Sequence, residues 1–184
     1  MTSRAVDEAG FVTNDISARA GIVAVEDAGT EPIDPEVLEQ LAEFAEFSLA
    51  ALALHPHDEL SIRIVDEVEM SDLHVQWMNE PGPTDVLSFP MDELRPIRSS
   101  ADRDPGMLGD IVLCPAFACR QLEQEVGSAP NAAALHDRML LLLVHGILHL
   151  IGHDHGTPAE YDAMFGLQDT VLGDWRQARR GGRS

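Results

Sequence analysis

Between Met139 and Ile151 the chain is almost entirely apolar, and two histidines four residues apart, His145 and His149, interrupt the run. So apolar a stretch is too short to span a bilayer and is expected as a buried core helix. Residues four apart on a helix project from one face, which stacks the two imidazoles. Gly152 can end the helix in the left-handed conformation that other residues avoid, and the returning chain then brings His155 to the first two. Apolar surroundings penalise charged or unpaired rings. Three imidazoles converging on one point, with a fourth position open, is how a catalytic zinc is held. The stretch HGILHLIGHDH therefore predicts one Zn2+ per chain on His145, His149 and His155. The plainer alternative is three ordinary histidines near a helix end.

At 184 residues, with 45% apolar and 24% charged residues, one globular domain with a real core is expected. Residues 1–20 are polar and aperiodic and are expected as a flexible extension, 21–175 as the single domain, and 176–184 as a loose basic tail. The segment MTSRAVDEAG lacks the apolar centre of a signal peptide, so a cytoplasmic location away from membranes is expected. A reducing compartment keeps Cys114 and Cys119 as thiols, and their spacing matches no standard zinc pattern, which leaves them as buried thiols. The formal net charge is −20, and all 12 basic residues are arginines. So acidic a chain repels bulk nucleic acid at long range, and DNA is not an expected partner. A nucleic-acid function requires a local basic groove or a partner that delivers the substrate.

Periodicity outlines the elements. Strands are expected at Ile22–Val25, at Leu60–Val65 (alternating LSIRIV), at Val86–Phe89 and at Asp110–Cys114. Helices are expected after the Asp34-Pro35 cap, from Ser71, from Pro115 to about Val126, after Pro130-Asn131, and from about Pro158 to Trp175. Residues 92–107 form an acidic, arginine-containing connector. The fold class is α+β: a small mixed sheet packed with several helices, with the histidine helix beneath it.

A zinc on three imidazoles activates water and polarises the oxygen it touches, so hydrolysis is the default chemistry. The histidine spacing resembles that of metzincin peptidases, H-E-x-x-H-x-x-G-x-x-H. Here Gly146 stands where those enzymes carry the general-base glutamate, and glycine moves no proton. The segment VHGILHLIGHDH instead resembles the signature of the YbeY family, bacterial metal-dependent endoribonucleases. PTDVLSFP (Pro83–Pro90) and LGDIVLC (Leu108–Cys114) resemble that family's companion segments in the same order. The likeness spans about Ile22 to Leu172.

The resemblance implies a zinc-dependent, single-strand-specific endoribonuclease acting in 16S rRNA 3′-end maturation and ribosome quality control. It implies His145, His149 and His155 as metal ligands, a fold related to the metalloproteases, single-stranded rRNA as substrate, and contact with the small ribosomal subunit and its proteins. Two positions depart from the pattern. Where the family has an aromatic-arginine pair shortly before PTDVLSFP, this chain has Trp77 and Met78, so the implied phosphate-stabilising charge is missing. Arg138, two helical turns before His145, is the candidate substitute, against the alternative of a solvated arginine at a helix start. His153 replaces a tyrosine and is a fourth ligand, a hydrogen-bond donor or a surface residue.

Asp85 is either a carboxylate that orients a metal histidine or manages the water, or a turn residue after Pro83. Trp77 is a base-stacking residue or, in the plainer view, a buried anchor of its helix. Met164 packs beneath the metal or belongs to the general core. Asp154 caps the local turn. Two rival functions stand beside the nuclease: a metallopeptidase, and a ribosome-assembly factor with structural zinc and weak or absent nuclease activity. A structural site is closed by a fourth protein ligand, whereas a catalytic one keeps a position open.

Overall fold

The computed structural model describes residues 23–30, 32–91 and 105–181. The element order is β1 (Val23–Asp27), α1 (Pro35–Ala51), β2 (Glu59–Ile64), α2 (Glu67–Met78), β3 (Val86–Pro90), β4 (Met107–Leu113), α3 (Pro115–Val126), α4 (Ala132–Leu150) and α5 (Pro158–Gly181). The strands form one mixed sheet in the order β1-β2-β4-β3. β1, β2 and β4 run parallel, and β3 pairs antiparallel to β4 at the edge. The α+β class expected from the sequence is the class observed.

Side-chain alternation explains the layering. On β2, Leu60, Ile62 and Ile64 are buried while Ser61 and Arg63 face the less covered side. β4 is nearly continuously apolar because it lies inside the sheet and is covered on both faces. Ile111 and Leu113 join Phe44, Leu143 and Ile147 in the main core, made with α1, α4 and α5. Val112 and Leu87 face the other way and pack with Met70 of α2, Cys114 and Phe117. α4 is long and apolar enough to cross a membrane by composition alone. It packs instead against β3, β4, α1, α3 and α5, as the core helix the sequence predicts.

Helix starts follow their caps. Asp34 accepts the Glu36 N–H before α1, and Asn131 accepts the Ala134 N–H before α4. α2 begins four residues earlier than expected because Asp66 caps it, accepting the Val68 and Glu69 N–H groups. Met70 is its only buried residue, so no apolar periodicity marks the first turn.

The C-terminal expectation needs correction. α5 does not stop at Trp175 but continues through Gly181, so residues 176–181 of the supposed loose tail are helical. Two contacts account for it: Arg179 pairs with Glu43 on α1, and its guanidinium lies 5.2 Å from the Trp175 ring centroid. The expected flexible extension at 1–20 and most of the connector at 92–107 lie outside the described residues.

Candidate metal centre

α4 ends as the sequence requires. Gly152 has φ +89, His153 N–H donates to the Leu148 carbonyl at 2.9 Å, and Gly152 N–H donates to the His149 carbonyl at 3.0 Å. This is a Schellman motif, and the left-handed residue at its corner has to be glycine or bear strain. It turns the chain back so that His155 meets the two helical histidines. One ring nitrogen from each of His145, His149 and His155 lies within 4.8 Å of the others.

The rings are held from behind. His145 Nδ1 lies 3.2 Å from Gln168 Oε1, and His149 Nδ1 lies 3.0 Å from the His153 carbonyl oxygen. Both partners are oxygen acceptors, so each Nδ1 carries the proton and donates it. That leaves each Nε2 with its lone pair, and the two Nε2 atoms face one another at 3.1 Å. Tetrahedral zinc–nitrogen bonds of about 2.0–2.1 Å require ligand nitrogens roughly 3.3 Å apart, which this pair nearly meets. Burial pushes the pKa of His145 and of His149 below the usual histidine value, and repulsion from neighbouring histidines adds to it. Neutral imidazole is the form that binds a metal, so the donor set fits a divalent ion. Among the described residues, the cluster holds three histidines and no fourth protein ligand. Cys114 is buried in the other layer, where burial raises its thiol pKa.

The sequence-predicted residues divide clearly. The three histidines come together. His153 contributes its carbonyl rather than its ring, and Asp154 accepts the His155 N–H at 2.7 Å, as a turn cap does. Asp85 Oδ1 accepts the Val86 N–H at 2.9 Å and lies 3.2 Å from the Thr84 hydroxyl. It fixes the entry to β3, and its charge favours protonated His145 without a direct hydrogen bond. Arg138 does not turn toward the metal cluster: it pairs with Glu125 of α3. Met164 is fully buried in the main core. Trp77 is not a buried anchor; it is 60% exposed.

Two residues escaped the sequence reading. Gln168 is 3% exposed, one polar side chain in the buried α5 stripe of Met164, Val171 and Leu172. A lone amide in an apolar stripe is the signal that could have found it. Phe165, stacked on Tyr161 at 4.1 Å, places its ring 5.9 Å from that of His145 and 6.2 Å from that of His155.

A cavity of about 430 Å³ opens on His145 and His149. Met78, Val86, Leu87, Ser88 and Pro90 form one wall, and Gly152, His153 and Asp154 extend the other beyond His145 and His149. Met78, at the position where an arginine was expected, lines this cavity, and among the described residues no arginine lines it. Gly146 faces the sheet. A Cβ there would sit 3.0 Å from Ser88 Oγ and 3.1 Å from Ile111 Cδ1. The position that carries the peptidase glutamate is thus occupied by close helix–sheet packing.

A fold-level relative is a solution structure of a Thermotoga maritima protein, with TM-score 0.50 and 23% identity, covering 85% of this chain and 93% of that one. Curated relatives named Endoribonuclease YbeY are closer in sequence. That of Thermobifida fusca is 51% identical, over 83% of this chain and 94% of its own length. That of Streptomyces griseus is 46% identical, over 82% and 87%. The family profile described as Endoribonuclease YbeY matches residues 24–176, which takes in all of the sheet but its first residue, the cavity and all three histidines, and the chain belongs to that family.

Proposed function

We propose that this protein is a zinc-dependent, single-strand-specific endoribonuclease that acts in the cytoplasm on the small ribosomal subunit, in 16S rRNA 3′-end maturation and ribosome quality control. The observation that carries this reading is the three-imidazole cluster with an open side on a cavity, in a chain of an endoribonuclease family. His145, His149 and His155 would hold a divalent metal, which would supply Lewis-acid polarisation of a phosphoryl oxygen and a more acidic water. The protein's own part is positional. Gln168 and the His153 carbonyl fix the two ring tautomers, Phe165 walls one side, and Ser88 presents a hydroxyl on the cavity wall. A cavity of about 430 Å³ suits one unpaired nucleotide, which supports single-strand preference.

A second reading, an assembly factor of weak nuclease activity, is favoured by one observation: Met78 replaces the cation expected in the cavity wall. The deciding experiment strips the protein of metal, reloads it with zinc, and offers single-stranded RNA, duplex RNA and an unstructured protein. Cleavage of single-stranded RNA by the wild type and not by His149→Ala is the expected result. Equal rates for the two overturn the nuclease reading, and binding to the small subunit without cleavage selects the assembly factor. Hydrolysis of the protein substrate restores the peptidase.

A further inference from the structure

The chain treats its two tryptophans differently. Trp175 is half-buried between Phe44 and Phe47, with ring centroids 5.4 and 5.3 Å away. Trp77, on the last turn of α2, is 60% exposed, and among the described residues its ring neighbour is Phe89 at 5.5 Å. An indole left this open on a folded domain does little for the core and points to a ligand. Its neighbour on α2, Met78, is also apolar and 48% exposed.

The patch adjoins the metal cavity at the end of α2. Met78, next to Trp77 in sequence, lines the cavity, while Phe89 points to the opposite face of β3 from Ser88 and packs with Leu87 and Val112. Phe89 meets the indole at a tilt of 58°, and the indole stays largely open. Among the described residues the cavity wall offers no arginine, and the chain carries a net charge of −20. What the rim does offer is an open aromatic face, to which any base can stack regardless of sequence.

We propose that Trp77, beside Phe89, is a stacking platform for an unpaired nucleobase next to the nucleotide at the metal cavity. The proposal rests on the endoribonuclease reading for its ligand class. Trp77 positions the strand and takes no part in the chemical step.

The test compares Trp77→Ala and Trp77→Phe in the full-length chain, with circular dichroism to verify folding. With zinc and single-stranded RNA, Trp77→Ala is expected to raise KM by about 5- to 150-fold, the range of one lost base stack, with kcat little changed. Trp77→Phe restores most of the affinity. In a Trp175→Phe background with a chelator present to prevent cleavage, single-stranded oligoadenylate quenches the remaining indole emission, and the same sugar–phosphate chain with abasic positions does not. Unchanged KM in Trp77→Ala, or equal quenching by the abasic chain, overturns the proposal. If the wild type fails to cut RNA, the nuclease reading falls and the quenching titration alone decides whether Trp77 stacks a base. If Trp77→Ala instead loses binding to a ribosomal protein while oligoadenylate binding is intact, the patch is a protein interface and the proposal fails.

Discussion

Gln168 is a buried amide with its Oε1 3.2 Å from His145 Nδ1. That contact fixes which His145 nitrogen is protonated and therefore which one is free for a metal. Replacing it by leucine keeps the volume and removes the acceptor. Such partners of metal histidines typically contribute 10–100-fold in metal affinity. Gln168→Leu is expected to weaken zinc binding by about that factor, read by competition with a chromogenic chelator. An unchanged zinc affinity would mean that the amide is only a packed core group. The cluster itself was legible in sequence because three histidine positions and one glycine carry it. Gln168 was not, because its partner lies 23 residues away on another helix.

Among the elements, the approach of α4 to the sheet decides what position 146 can hold. Ser88 Oγ and Ile111 side-chain carbons stand 3.0–3.2 Å from where a Cβ would be. Gly146→Glu therefore overpacks the helix–sheet contact and also buries a carboxylate. Its expected cost is about 1–3 kcal/mol or more, seen as a lower denaturant midpoint, with no gain of peptidase activity. Wild-type stability in that variant would show that α4 can move off β3 and β4. From the sequence, Gly146 argued only that a base was missing. The packing reason depended on which face of α4 meets β3, and that follows from strand order. Strand order also explains why Arg138 failed as a substitute cation. Two turns back along α4, it meets Glu125 of α3 instead of the cavity. Helix ends are similar: the caps at Asp34 and Gly152 were read correctly, while α2 began earlier and α5 ended later than periodicity indicated.

Over the whole molecule, the buried histidines couple stability to pH. Burial and mutual repulsion lower the pKa of His145 and His149 in the folded chain. The unfolded chain therefore binds more protons as pH falls through about 6.5, and stability falls with it until the lower folded-state values are passed. The metal-free protein is expected to lose Tm between pH 7.5 and pH 5.5, and His149→Gln is expected to lose less over the same window. Equal slopes for the two would remove the histidines as the cause. Protonation competes with metal for the same nitrogens, so zinc affinity falls in that window too. The sequence by itself determined the three-histidine stretch, the fold class and the family, because histidine spacing, strand alternation and helix caps are local properties of neighbouring residues. The tertiary structure alone decided what surrounds the ligands: Gln168 and Phe165 arriving from α5, Met78 in the cavity wall, Arg138 turned to α3, and Trp77 left open at the rim. Each of these depends on which face of one element meets another, and that is fixed only when distant segments compete for the same buried surface.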